Sequence, residues 1–255
     1  VDLVAAGLAG HDPADQLALD EALLRAGQVR PLARLWRAAR CVVVGRGQQL
    51  EREVNLAASV RDGIPVLRRS SGGGTVYLDP GCLNVTLVAP GRRPDLIEAL
   101  AELIAGSLGR LGLAPTAGRR GVFLGPAKVS GLSAQVTSGG SLAHGTLLIT
   151  TPPAAVVAYL APAPPDPRPL DSHRSPVAAL SGLDPAITIR AGRQAVLAEA
   201  ATRFGDLRPR RLTAAERDWW ARLAASRYDN PDWHQTGRDA PARLRGDSPR
   251  HLPTG

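Results

Sequence analysis

Of the 31 basic side chains in this 255-residue chain, thirty are arginines and only one, Lys128, is a lysine. Such a ratio marks a coding background that converts lysine to arginine wherever the chemistry tolerates it. The position that kept its lysine is therefore informative. An ammonium is a compact point charge on a thin stem, whereas a guanidinium is a planar fork of five donors. A narrow pocket that places one positive charge between two oxygens accepts the first and rejects the second. Lys128 opens Lys128-Val129-Ser130-Gly131, and Ala143-His144-Gly145-Thr146-Leu147-Leu148 follows downstream. Upstream stands Arg68-Arg69-Ser70-Ser71-Gly72-Gly73-Gly74-Thr75-Val76-Tyr77. Three consecutive glycines let the backbone approach a ligand closely and aim several N–H groups one way. Arg69 would add a fixed charge beside them. This is the outline of a cradle for a nucleotide or acyl phosphate, although a bare Gly-Gly-Gly also serves as a flexible loop. It is neither a Walker loop nor a dinucleotide fingerprint.

The elements that must hold these residues can be read from capping and periodicity. Asp12-Pro13 starts a helix, with Asp12 as N-cap and Pro13 in the first turn, that runs through Leu24 and stops at Gly27. Strands are expected over 32–36, 41–45 and 64–68, with a helix over 51–61 among them. The last of these strands leads directly into the glycines. Strands over 75–78 and 83–89 flank the turn Asp79-Pro80-Gly81. Apolar residues at helical spacing from Pro94 to Leu113 predict a long helix. Strands over 122–124, 127–136 and 145–150 follow, the last one starting just after His144. A short helix over 153–160 precedes a proline-rich loop over 161–167, and helices over 190–204 and 213–226 come last. Strands and helices mix without βαβ alternation, so the expected fold is α+β, with mixed or antiparallel sheets flanked by helices. The polar, Arg- and Pro-rich stretch 238–255 reads as a disordered tail.

Composition narrows the partners. The formal net charge of +8 favours an acidic one. The arginines are scattered in pairs such as Arg92-Arg93 and Arg119-Arg120, without the interleaved aromatics of a single-strand binder, so nucleic acid is not expected. No apolar run reaches the ~18 residues of a membrane span. Cys41 and Cys82 do not make a disulfide framework, and a reduced, cytoplasmic protein is expected.

The three motifs, Arg-Arg-x-Ser-Gly-Gly-Gly-x-Val, Lys-Val-Ser-Gly and His-Gly-Thr-Leu-Leu, together resemble the lipoate–protein ligase A family. Leu17-Ala18-Leu19-Asp20-Glu21-Ala22, Leu35-Trp36-Arg37, Val44-Gly45-Arg46-Gly47-Gln48 and Glu53-Val54-Asn55 match it in the same order. The resemblance spans Asp12 to Trp233. It implies the catalytic fold shared with biotin ligases, occupying residues 1–237, and a two-step reaction. Lipoate and ATP, with Mg²⁺, give lipoyl-adenylate, which then acylates one lysine of an acceptor domain. It also implies that Lys128 contacts the carboxyl and α-phosphate oxygens. Arg69, Gly74, Thr75, Val76 and Tyr77 would contact ATP or the adenylate. Ser71, Gly72, Gly73 and His144 would lie along the lipoate, although a lone histidine is as readily structural. The implied partners are the lipoyl domains of 2-oxoacid dehydrogenase complexes or the glycine cleavage H protein.

Three departures matter. Family members carry His-Asp where this chain has Leu78-Asp79, asparagine where it has Cys82, and Asn-Asp where it has Arg120-Gly121. The last removes a carboxylate from the adenylate side, where a Mg²⁺ would need oxygen ligands, and no metal-ligand set can be named. The C-terminal accessory domain of many lipoate ligases is not expected here either. A separate accessory protein, an octanoyl or lipoyl transferase without ATP activation, and a non-catalytic acyl-adenylate-binding homologue all stay open. Some relatives use a cysteine nucleophile beyond the His-Gly segment, where this chain has none, and nothing near Cys82 in sequence is an obvious base for it.

Overall fold

The computed structural model describes residues 1–4 and 12–238. Its α+β architecture is the expected one, built on two sheets. The elements in order are β1 (Asp2–Val4), α1 (Pro13–Arg25), β2 (Leu32–Trp36), β3 (Cys41–Val44), α2 (Leu50–Glu53), α3 (Leu56–Arg61), β4 (Val66–Arg68), β5 (Val76–Leu78), β6 (Cys82–Pro90), α4 (Leu96–Gly109), β7 (Thr116–Gly118), β8 (Gly121–Leu124), β9 (Ala127–Val136) and β10 (Gly140–Leu148). They continue with α5 (Pro153–Tyr159), α6 (Leu180–Leu183), α7 (Ile189–Phe204), β11 (Arg208–Arg210), α8 (Ala214–Leu223) and α9 (Pro231–Thr236). The expected tail falls, but for Arg238, outside the described residues.

The larger sheet has strand order β11-β1-β2-β6-β10-β9-β8-β7, and the smaller has order β4-β3-β5. The large sheet is antiparallel from β2 to β7 and parallel at its β2-β1-β11 edge. Period-two alternation decides which side chains go where. On β6, Leu83, Val85, Leu87 and Ala89 face the core under α4 and α7, with Leu100, Leu103, Ile104 and Val196. On β10, Ala143 and Leu147 share that core, which leaves His144 and Thr146 on the opposite face, toward α1. There Leu17, Trp36, Val43, Leu78 and Leu148 form a second core between the two sheets.

Several expectations are refined. The helix expected over 51–61 breaks at Val54, whose extended backbone (φ −122°, ψ 136°) bridges Leu160, and Asn55 then caps α3 by accepting from the Ala58 N–H. Strand β10 begins at Gly140 rather than Gly145, so His144 is a strand residue and not one preceding it. The last long helix ends in a π turn over Ala224–Tyr228, and α9 follows it.

Helix α9 grips the strand that leads to the glycines. Trp233 Nε1 donates to the Arg68 carbonyl at 2.8 Å, and the Arg68 N–H donates to His234 Nδ1 at 3.0 Å. The Arg68 guanidinium donates to the carbonyls of Gly45, Arg46, Gln48, His234 and Gln235. His234 Nε2 lies 2.8 Å from the Tyr228 carbonyl and so carries the proton. Nδ1 must then stay bare. Burial, with Arg68 nearby, holds the His234 imidazole below the ordinary histidine range. A group whose folded value is depressed takes up its proton first in the unfolded chain. Its contribution is therefore present above about pH 6.5 and is lost as pH falls through the folded value. Thermal melts between pH 8 and 5 should show this decline, and His234→Asn should flatten it. An unchanged pH slope in the variant would rule the latch out as its source.

Candidate active site

The glycine loop joins β4 to β5 and is held from inside. The Arg69 guanidinium, 5% exposed, donates to the carbonyls of Val43 (3.2 Å), Gly72 (2.5 Å) and Gly74 (2.7 Å) and to Ser71 Oγ (3.0 Å). Burial lowers it to about 10, so it stays charged at neutral pH. Arg69 thus shapes the loop, with four of its five N–H donors occupied by it and by Val43. Gly73 has φ 79°, and its carbonyl sits where a side chain on Gly45 would start, so the two backbones touch. Gln48 Oε1 accepts from the Gly45 N–H and from Thr75 Oγ1, both at 2.8 Å.

A strap over 161–175 crosses this loop. Ser172 Oγ accepts from the Thr75 N–H at 2.7 Å and from Gln48 Nε2 at 3.0 Å, and it lies 2.5 Å from Glu53 Oε2. Asp171 pairs with Arg52 at 2.6 Å. Just beyond the strap the chain pairs with the backbone of Lys128, whose N–H donates to the Pro176 carbonyl (2.7 Å) and whose carbonyl accepts from the Ala178 N–H (3.2 Å).

A buried polar chain connects α1 to the loop. Arg34, completely buried, is ion-paired to Asp20 and bonded to Gln16. Asp20 Oδ2 accepts from Thr86 Oγ1 at 2.8 Å and lies 3.3 Å from His144 Nδ1. His144 Nε2 is 2.7 Å from Ser71 Oγ, which accepts from Ser133 Oγ at 3.0 Å. Burial pushes the Asp20 carboxyl up, but the Arg34 charge and the hydrogen bonds with His144 and Thr86 outweigh it and hold the group below its usual range.

These pieces wall a cavity of about 550 Å³. One part is apolar, built from Leu17, Trp36, Val43, Leu78 and Leu148 of the inter-sheet core. The other is cationic, with Arg119 and Arg120 from the β7–β8 turn, Lys128 from β9, and Arg174 from the strap. The Lys128 ammonium stands 5.8 Å from the Phe123 ring centre, and burial, then the Arg120 charge, hold it below the ordinary lysine range.

Of the residues singled out in the sequence, Arg69, Gly73, Gly74, Thr75, Val76, Tyr77, Lys128 and His144 line this cavity. Ser71 is 1% exposed and bonded to His144, so it stands behind the wall, and Gly72 lies on the outside of the loop. The Tyr77 ring faces away, stacked on Tyr159 at 5.3 Å with its hydroxyl held by Arg40. Cys82 is completely buried, and burial pushes its thiol up, so it is no nucleophile. Asp20, Arg34, Ser133 and Ser172 carry the site's internal bonding, and sequence reading gave none of them a role. An Asp on the apolar side of α1 was the one available signal.

No carboxylate lines the cavity among the described residues, and none of their His, Cys, Asp and Glu side chains gather in threes that could hold a metal. The nearby acids are engaged: Asp20 by Arg34, Glu53 by Ser172 and Arg174, Glu98 by Arg119. The donor set therefore does not fit a protein-held Mg²⁺.

One cleft thus brings an apolar wall and a cluster of cations, Lys128 among them, around the same space. The chain belongs to the lipoyl protein ligase A/B catalytic domain family, whose model matches residues 12–201. It is 39% identical over 153 residues to an Aeropyrum pernix protein described as a "putative lipoate-protein ligase A", a match that covers 58% of this chain and 58% of that one. A crystal structure of a lipoate-protein ligase A bound with ATP superposes with a TM-score of 0.82 at 25% identity, covering 92% of this chain and 98% of that chain. The Thermoplasma acidophilum bi-partite lipoate protein ligase, studied with its E2 lipoyl domain, gives 0.80 at 27% identity, covering 96% and 98%.

Proposed function

We propose that this protein joins lipoate to an acceptor lysine in two steps: lipoate and ATP give lipoyl-AMP and pyrophosphate, and the adenylate then acylates the acceptor amine with release of AMP. The observation that carries this reading is the single cleft whose wall combines an apolar part with a cationic part that includes Lys128. The acyl chain occupies the Leu17–Trp36–Val43 side, against His144. The mixed anhydride lies at Lys128, whose ammonium stabilises charge developing on the carbonyl and phosphate oxygens in a partly dry site. The loop Gly73–Thr75, braced by Arg69, forms the wall beside it. Among the described residues the wall offers Mg²⁺ no carboxylate.

In this reading the catalytic unit is residues 1–237, acting in the cytosol. The acceptors are lipoyl domains of 2-oxoacid dehydrogenase complexes or the glycine cleavage H protein, and the +8 charge steers an acidic acceptor toward the cleft. A separate accessory polypeptide assisting activation is supported by the similarity to the bi-partite T. acidophilum ligase. No helix of the described residues is long and apolar enough to cross a membrane.

The test separates the half-reactions on the purified chain. Pyrophosphate release from lipoate and ATP is expected to be slow without a partner, because activation must neutralise a triphosphate and a leaving group. Acceptor acylation from preformed lipoyl-AMP, followed by intact mass, is expected to proceed, since orientation and one cation suffice. Failure of both half-reactions, with and without an accessory protein, would overturn the proposal.

A further inference from the structure

We infer that Arg120 is a phosphate-binding residue, and that with Lys128 it neutralises the nucleotide's phosphates in place of a protein-held metal ion. This rests on the cleft being a nucleotide site, as proposed above, and concerns how that site meets the charge.

Four cations face the cavity from its cationic part, and two of them are already engaged. Arg119 pairs with Glu98 at 3.1 Å and Arg174 with Glu53 at 3.0 Å. Lys128 and Arg120 line the same cavity with no ion-pair partner among the described residues. Two like charges facing one space without counter-ions disfavour each other, and an anion between them removes that cost. Burial, and after it the Arg120 charge, depress the Lys128 ammonium, which is the same repulsion seen from the other side.

The backbone beneath them excludes a carboxylate. Gly121 follows Arg120 and has φ 151°, a value that favours glycine. A Cβ there would run into the Ser130 carbonyl and stand 2.7 Å from Lys128 Cε. The lysine stem occupies the space that a side chain at 121 would need. The turn therefore presents Arg120 to the cavity beside Lys128 of β9, and position 121 cannot present an acid without displacing the lysine. A guanidinium binds phosphate oxygens through two parallel N–H bonds, which suits Arg120 to the β- and γ-phosphates and leaves the compact ammonium to the crowded α-phosphate.

Calorimetric titration of the full chain with ATP and with AMP, each with Mg²⁺ or with EDTA, tests this. ATP affinity in EDTA is expected to equal or exceed that with Mg²⁺, differing by less than about threefold if weaker, because the metal removes charge that the two cations bind. Arg120→Gln should weaken ATP by about tenfold or more, the loss of a charged hydrogen-bond pair, and weaken AMP much less. Arg30→Gln, at an exposed position outside the cavity wall, should match the wild type. ATP binding that collapses in EDTA, or Arg120→Gln that binds ATP as the wild type does, overturns the inference while the cleft remains a nucleotide site. Binding of neither nucleotide nor lipoyl-AMP overturns the function itself.

Discussion

Replacing Lys128 by arginine is expected to slow acyl transfer from lipoyl-AMP by about 100- to 1,000-fold and to leave the melting temperature unchanged. The charge is kept, so long-range attraction for the adenylate survives. What is lost is fit. The lysine stem runs along Gly121, its Cε 2.7 Å from where a side chain there would begin, and its ammonium is within 5.8 Å of the Phe123 ring centre. A planar guanidinium is wider than an ammonium and presents its donors in a fixed fork. It would settle toward Arg120, where two guanidinium groups repel, and leave the reacting oxygens unattended. Single-turnover transfer to an acceptor domain reads this directly. A near wild-type rate would show that the solitary lysine is an accident of codon drift.

Asp20→Ala is expected to damage the fold severely. Arg34 is completely buried, and Asp20 is its ion-pair partner. Removing one partner of a buried pair leaves an uncompensated charge, at a cost of about 3–5 kcal/mol. At this chain length that lowers the melting temperature by roughly 10 °C. The same carboxylate anchors His144, which touches Ser71 of the glycine loop, so adenylate affinity should fall as well. Replacing both partners, with Asp20→Ala and Arg34→Leu together, should recover most of the stability but not the affinity. A double variant no more stable than Asp20→Ala alone would show that the buried charge is not the cause.

What the sequence discloses depends on whether the signal is local. Helix α1 is legible because its cap and its N1 proline are adjacent to it, and it begins where Asp12-Pro13 places it. Strands β2 and β9 have the expected ends, since their branched and apolar residues alternate or run unbroken. The three-residue strands β1, β7 and β11 are not legible: each is fixed by the neighbour it pairs with, and their sequences carry no period of their own. The first half of β10 is missed for a different reason. Gly140, Ser141, Ala143 and His144 are small or polar because one face packs closely under α4 and the other turns toward the α1 side, where His144 meets Asp20 and Ser71. Close packing on one face and a polar network on the other leave no apolar alternation to mark the strand. The same contrast holds in the site. Lys128, the glycines and His144 announce themselves by type and neighbourhood. Asp20 meets His144 across 124 positions and Ser172 meets Glu53 across 119, and no local pattern encodes either meeting.

The grip of α9 on Arg68 also sets a schedule for biosynthesis. Arg68 finds its last partners in Trp233, His234 and Gln235, between 165 and 167 positions later in the chain. While the ribosome is still adding those residues, both sheets can pair and the helices can pack, but the strand before the glycines lacks the groups that hold its backbone N–H and carbonyl. Contacts of such sequence separation form late, since their loop-closure entropy must be met first. The nascent chain thus completes its scaffold before its cleft, and competence to bind a ligand arrives only once the chain has passed Gln235 and left the exit tunnel.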